Sequence, residues 1–165
     1  MNRLVLVALG SNCGDSLAIV RGAITDLAQF ARGELRASHL WRTSPVDCPP
    51  DSPDFVNAVV AFEARDGLSA DDLLDALKAL ERAHGRAAPR RRNAPRELDL
   101  DLLLFGAERR DDARLTLPHP RAHLRRFVLA PAAEVAADVV WPGAERTVAD
   151  LLARLEDRDL ATRID

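Results

Sequence analysis

Arg90-Arg91-Arg92-Asn93-Ala94-Pro95-Arg96-Glu97-Leu98-Asp99-Leu100-Asp101-Leu102-Leu103-Leu104-Phe105 runs from a dense cationic loop straight into a very apolar segment. It supplies the last strand of a β-α-β-β-α-β order, and the reading of the fold depends on it. Successive strand side chains alternate between faces, so Asp99 and Asp101 point one way while Leu98, Leu100 and Leu102 point the other. The two aspartate Cα atoms should lie roughly 6–7 Å apart, from a rise of about 3.3 Å per residue. Two carboxylates at that spacing can share hard cations; Mg²⁺ favours one or two carboxylates together with phosphate oxygens and water. Paired metals about 3.5–4 Å apart clamp an in-line displacement at phosphorus. Arg86, Arg90, Arg91, Arg92 and Arg96 suit the remainder of such a substrate, because guanidinium forks match phosphate oxygens bidentately. The plainer alternative is a solvated edge-strand face neutralised by those arginines. Five guanidiniums in so short a span favour an anion.

Working outward, Leu4 to Leu9 reads as a buried strand, and Gly10-Ser11-Asn12-Cys13-Gly14-Asp15 as the turn after it. That turn is neither a P-loop nor a dinucleotide fingerprint. Asp15 or Ser16 can cap a helix whose apolar stripe is Leu17, Val20, Ala23, Ile24, Leu27 and Ala31, with Gly33 ending it. Glu34 to Trp41 reads as a second strand. Thr43 to Asp54 carries Pro45, Pro49, Pro50 and Pro53 and reads as an irregular loop. Phe55 to Glu63 is a third strand, with Phe55, Asn57, Val59 and Ala61 on one face. An asparagine there either bonds neighbouring backbone or reads a planar polar ligand, and spacing alone leaves both open. Ser69-Ala70-Asp71-Asp72 opens a second helix as a capping box. Its stripe is Leu73, Leu74, Leu77, Leu80 and Ala83 or His84, with Lys78 and Glu81 off it and Gly85 stopping the helix. Leu98 to Phe105 follows as strand four, closed by Gly106.

This order predicts an α+β, ferredoxin-like antiparallel sheet with both helices on one face. After it come a short extended piece, Leu115 to Arg121, an apolar run Phe127 to Ala130, a short helix Pro131 to Ala136, and an amphipathic helix Thr147 to Leu155. With 165 residues, a single domain spanning 1–165 is expected. A net charge of −3 and few aromatics argue against a nucleic-acid-binding module. Lys78 is the one lysine among 23 basic residues, so the arginine content partly reflects composition. Cys13 and Cys48 form no metal or disulfide pattern. No signal-peptide or membrane-spanning run is seen, which predicts a cytoplasmic protein.

Six ordered motifs resemble one family. They are Leu9-Gly10-Ser11-Asn12-x-Gly14-Asp15; Arg42-Thr43-Ser44-Pro45 with Pro53-Asp54-Phe55-x-Asn57-Ala58-Val59; Glu81-x-x-x-Gly85-Arg86; Ala94-Pro95-Arg96-x-Leu98-Asp99-Leu100-Asp101; Leu117-Pro118-His119-Pro120-Arg121; and Arg125-x-Phe127-Val128-Leu129-x-Pro131. They resemble the 6-hydroxymethyl-7,8-dihydropterin pyrophosphokinases of folate biosynthesis, over Leu4 to about Pro142. The resemblance implies a ferredoxin-like fold with extra C-terminal strands and helices. It implies transfer of the β,γ-pyrophosphoryl group of ATP to the pterin hydroxymethyl oxygen, with release of AMP. Asp99 and Asp101 would then hold two Mg²⁺. Arg86 and Arg96 would act with them in catalysis. Lys78, Glu81, Arg86, Arg96, Leu102, Arg114, Thr116, His119 and Arg125 would bind ATP. Thr43, Ser44, Pro45, Val46, Phe55, Asn57 and Phe127 would bind the pterin, with the two phenylalanines stacking on it. The expected partners are these two small molecules, with no nucleic acid and no membrane, acting on a monomer. The chain departs from the family pattern at Ala88, where a second arginine is common, and at Asn93, where tryptophan is common. Phe55 stands where tyrosine is frequent.

Overall fold

The computed structural model describes residues 2–43, 53–84, 97–156 and 161–164. The first strand, β1, is Leu4–Ser11, and it is followed by α1, Ser16–Leu27. Two short strands come next, β2 at Arg36–Ala37 and β3 at Trp41–Thr43, then the long β4 at Phe55–Glu63. Helix α2 spans Ala70–Ala83 and strand β5 spans Asp99–Phe105. The remainder comprises β6 (Arg110–Asp111), β7 (Thr116–Leu117), α3 (Arg126–Ala136), β8 (Val140–Trp141), β9 (Arg146–Thr147), α4 (Val148–Ala153) and β10 (Ala161–Arg163).

Among the described residues, the main sheet runs in the order β10-β3-β4-β1-β5, with β2 also pairing β4. All its pairings are antiparallel. β1 lies between β4 and β5, and its Val5, Leu6 and Val7 are fully buried, with both faces of the strand covered. Two cores result. Val5, Val7, Leu9, Ala58, Val60, Phe62, Leu100 and Leu102 pack under α1 and α2 with Val20, Leu27, Leu73 and Leu77. Leu6, Val59, Ala61, Leu103 and Leu104 pack on the opposite face under α3 with Val128, Leu129, Ala132 and Trp141. Each fully buried leucine contributes about 2 kcal/mol.

Several boundaries differ from the sequence reading, each for a physical reason. β1 continues through Gly10 and Ser11, which pair with Asn57 and Val56, so the turn begins only at Asn12. Gly14 takes φ +77 in that turn, a left-handed value that favours glycine. Asp15 caps α1 by accepting from the Ala18 amide at 3.3 Å. α1 ends at Leu27 and tightens into a 3₁₀ turn over Ala28–Phe30, well before Gly33. The expected strand Glu34–Trp41 is split into β2 and β3, because the Ser38 hydroxyl accepts from the Val59 amide at 3.0 Å and interrupts the regular ladder. α3 begins at Arg126 rather than Pro131, which lies inside it. The Arg125 carbonyl accepts the Val128 and Leu129 amides and starts the helix upstream. β5 carries a bulge: its register on β1 shifts between Leu6 and Val7, and Leu103 is the extra residue. The capping box at Ser69 is present, with Ser69 Oγ accepting from the Asp72 amide at 3.0 Å and Asp72 Oδ2 accepting from the Ser69 amide at 3.4 Å.

Candidate active site

The sheet brings one row of residues together on the α3 face. Gly10 in β1 pairs with Asn57 on one side and with Asp99 on the other. Strand neighbours are about 4.8 Å apart, so Asn57 and Asp99 are separated by about 9–10 Å across the bare backbone of Gly10. A Cβ on Gly10 would stand 3.1 Å from Asn57 Nδ2 and 3.7 Å from Phe55 Cδ1. The missing side chain therefore lets the Asn57 amide and the Phe55 ring close down on the Gly10 backbone, beside Asp99. Asp101 pairs with Ala8 one step along the same face, and both aspartates are half-buried.

The Thr43 hydroxyl donates to Asn57 Oδ1 at 2.5 Å, and both residues are buried. That bond orients the amide, so Nδ2 faces the Gly10 floor and offers two N–H donors. Phe55 stands on the same face beside it. Phe127, in the first turn of α3, packs partly buried against the core on this face, and the Arg125 guanidinium lies 5.5 Å from its ring centroid. Arg125 also acts electrostatically on His119, as does Asp99. Asn57, Thr43, Phe55, Phe127, Asp99, Asp101, His119 and Arg125 thus converge at one end of one sheet face.

A second group lines the outer edge of β5, beyond which no further strand pairs among the described residues. Glu81 is buried, and its Oε2 accepts from the Leu100 amide at 2.8 Å. The sequence reading set Glu81 off the α2 stripe. The structure corrects this: Leu73, Leu77 and Glu81 form the buried line, ending in a carboxylate because an edge-strand amide needs an acceptor there. Further along, the His119 amide donates to the Leu103 carbonyl at 2.9 Å. Leu102, between them, is buried under α2 and faces away from the aspartates. Lys78 is exposed on α2.

The His119 ring is held firmly. Its Nδ1 accepts from the amides of Arg121 at 3.2 Å and Ala122 at 3.1 Å, so Nε2 carries the proton. Burial, with the positive field of Arg125 and Arg121, lowers its pKa to about 4. It is a neutral N–H donor at physiological pH. His119 and Thr116 also line a cavity of about 620 Å³ with Pro118, His123, Trp141 and Gly143.

Arg114 is engaged elsewhere. Its Nε contacts Asp71 Oδ1 at 3.0 Å and its Nη2 contacts Asp75 Oδ1 at 2.5 Å, both on α2. Arg110 joins through Asp71 and Asp112. The hydrogen bond from Arg110, then that from Arg114, holds Asp71 below the usual carboxylate range. Nucleotide contact by Arg114 requires it to exchange these partners.

Ser44, Pro45, Val46, Arg86, Arg90, Arg91, Arg92 and Arg96 lie outside the described residues, as do Cys48, Ala88 and Asn93. Among the described residues no cluster of three or more His, Cys, Asp or Glu side chains is placed to hold a metal. Asp99 and Asp101 form a two-carboxylate set, which suits Mg²⁺ when phosphate and water complete its shell. Among them, too, no helix is long and apolar enough to cross a membrane. Sequence reasoning placed Glu81 at ATP but missed its bond to the Leu100 amide, for which the 73-77-81 spacing was the available signal, and it missed the close approach over Gly10.

Comparison with known proteins identifies the family. The chain matches the 7,8-dihydro-6-hydroxymethylpterin-pyrophosphokinase (HPPK) family over residues 6–137. It is 39% identical over 151 residues to a 2-amino-4-hydroxy-6-hydroxymethyldihydropteridine pyrophosphokinase of Synechocystis, covering 92% of this chain and 75% of that one. It is 36% identical to the protein of the same name in Haemophilus influenzae, covering 93% and 94% of the two chains. For the Pseudomonas aeruginosa protein of that name the identity is 40%, with 93% and 92% covered. A triple mutant of Plasmodium falciparum HPPK-DHPS, solved with pteroate, superposes on 93% of this chain with a TM-score of 0.66 and 12% identity. This chain spans 43% of that longer chain, and at such identity the likeness shows the fold alone. On the match across most of its length and these relatives, the chain belongs to the 7,8-dihydro-6-hydroxymethylpterin-pyrophosphokinase family.

Proposed function

We propose that this chain transfers the pyrophosphoryl group of ATP to 6-hydroxymethyl-7,8-dihydropterin, giving the pterin diphosphate and AMP in folate biosynthesis. The observation that carries the reading is the Asn57–Gly10–Asp99 row, which sets an oriented amide and a carboxylate on either side of a bare backbone. A flat pterin lies over Gly10, its amide-like edge on Asn57 and its ring against Phe55 and Phe127. Its hydroxymethyl arm then points toward β5. ATP runs along the edge of β5, past Glu81, Leu102 and His119, with Lys78, Thr116 and Arg114 around it.

The hydroxymethyl oxygen attacks the β-phosphorus as the bond from that phosphorus to the α-phosphate's bridging oxygen breaks, and the hydroxyl proton is released. Asp99 and Asp101 would hold two Mg²⁺, which supply charge neutralisation on the triphosphate. His119 contributes a fixed, neutral N–H and Arg125 a cation, so both are preorganised for developing negative charge. Arg86 and Arg96 belong to the same proposal through the family resemblance. Positioning and electrostatics carry the reaction, with no covalent enzyme intermediate. We read the sheet order as ferredoxin-like, and the chain as a single-domain, monomeric, cytoplasmic enzyme.

The test is a coupled assay for AMP. AMP is expected from ATP only with both Mg²⁺ and the hydroxymethyl-dihydropterin present. ATP and pterin binding without AMP release would leave a binding protein and overturn the catalytic reading.

A further inference from the structure

We propose that Glu134 is a positioning residue for the pterin slot: it holds α3 against β3 and so sets the gap between Phe127 and the Thr43–Asn57 pair. The inference rests on the pterin reading of that slot. Glu134 Oε1 accepts from the His39 amide at 3.1 Å and from Trp41 Nε1 at 2.9 Å. Oε2 meets His39 Nδ1 at 2.6 Å and lies 3.7 Å from Arg163 Nη1. One carboxylate on α3 thus ties the chain entering β3, β3 itself, and β10 beside it.

The geometry links this tether to the slot from both ends. Phe127 and Glu134 are seven residues apart on α3, about two turns, and so share a helix face. Trp41 and Thr43 are two residues apart on β3 and share a sheet face. Trp41 pairs with Asn57 in the β3–β4 register, so the tether and the slot stand on adjoining positions of that face. β3 has only three residues and lies near the sheet margin, inside the equally short β10. Backbone pairing alone fixes so short a strand weakly, whereas a helix-borne acceptor fixes its height under α3. Burial pushes the Glu134 carboxyl up, but the bonds from Trp41 and His39 outweigh it and leave the group below the usual carboxylate range, so it stays an ionised acceptor. Its side chain is 21% exposed, which limits its part in global stability relative to its part in alignment.

The test measures AMP release with each substrate varied in turn, for the wild-type chain, Glu134→Ala, Glu134→Gln and Trp41→Phe, with a thermal melt of each. Glu134→Ala should raise the pterin KM about tenfold, with the ATP KM within about twofold, as for loss of hydrogen bonds to a charged acceptor. Glu134→Gln and Trp41→Phe should give smaller rises in the same single parameter. If Glu134→Ala does not fold, the milder pair decides by the same split. An unchanged pterin KM, or equal rises in both KM values tracking a lowered Tm, would overturn the inference and leave Glu134 a purely structural residue. No AMP from the wild-type chain would overturn the functional reading, and this inference with it.

Discussion

The Thr43 hydroxyl donates to Asn57 Oδ1 across β3 and β4, and both side chains are buried. Thr43→Val removes the donor and leaves a buried acceptor unmet, at about 1–2 kcal/mol. The amide is then free to turn over. Pterin affinity measured by calorimetry should fall about tenfold while ATP affinity holds, and Thr43→Ser should restore it. Equal pterin affinity in the valine variant would separate Asn57 orientation from recognition.

Gly10 is needed for space rather than for an unusual φ. Gly10→Ala would put a methyl 3.1 Å from Asn57 Nδ2, on the floor of the slot. The expected outcome is a folded protein whose pterin KM rises by about an order of magnitude, since interior groups have little room to give. Wild-type kinetics in this variant would show that the floor between Asn57 and Asp99 is not where the pterin lies.

Asp99→Asn and Asp101→Asn keep shape and remove charge. Each should lower kcat by about 100-fold or more, on the scale of losing a preorganised electrostatic contact. A thermal melt of each variant separates lost turnover from lost folding. Chelation of divalent ions should abolish AMP release in the wild-type chain. Turnover that survives both substitutions would remove the metal from these carboxylates.

Glu81 accepts from the Leu100 amide midway between the two aspartates. Glu81→Ala leaves that edge-strand amide without this acceptor, at a cost of about 1–3 kcal/mol. For a chain of this size, a Tm drop of about 2–4 °C per kcal/mol follows. Glu81→Gln, which keeps an acceptor oxygen, should lose less. If the two variants melt alike, the amide bond is not what Glu81 contributes.

His119 has a folded-state pKa of about 4 against 6.5 for the free side chain. Between those values the unfolded chain binds the extra proton. The contribution of His119 is therefore full above pH 6.5 and is lost as pH falls toward 4. At about 1.4 kcal/mol per unit, lessened by partial exposure, this is on the order of 1–3 kcal/mol. Urea unfolding at pH 7 and pH 4.5 should show a smaller pH dependence in His119→Gln than in the wild-type chain. The pH–rate profile should show no His119 step between pH 5 and 8. A step near 6.5 that vanishes in the variant would contradict the neutral-donor role.

The sequence by itself placed β1, β4 and β5, though not β3. Phe55–Glu63 was legible to the residue because it is a nearly continuous run of apolar, β-favouring residues buried on both faces, and the capping box at Ser69 fixed the start of α2. The alternation also put Asp99 with Asp101 and Phe55 with Asn57 on shared faces, since a strand's period of two is local and needs no partner. Six motifs in order then indicated the family. Boundaries were less secure where a side chain replaced a backbone bond, as at Ser38, or where a proline lay inside α3 instead of opening it.

Only the tertiary structure decided which faces meet. Local periodicity cannot say that β1 lies between β4 and β5, and that placement sets Gly10 between Asn57 and Asp99. Nor can it say that the edge of β5 leaves an amide for Glu81, or that Glu134 reaches from α3 to Trp41. Those links join residues far apart in the chain, and they form only because the two cores on opposite faces of the sheet fix every element's position at once.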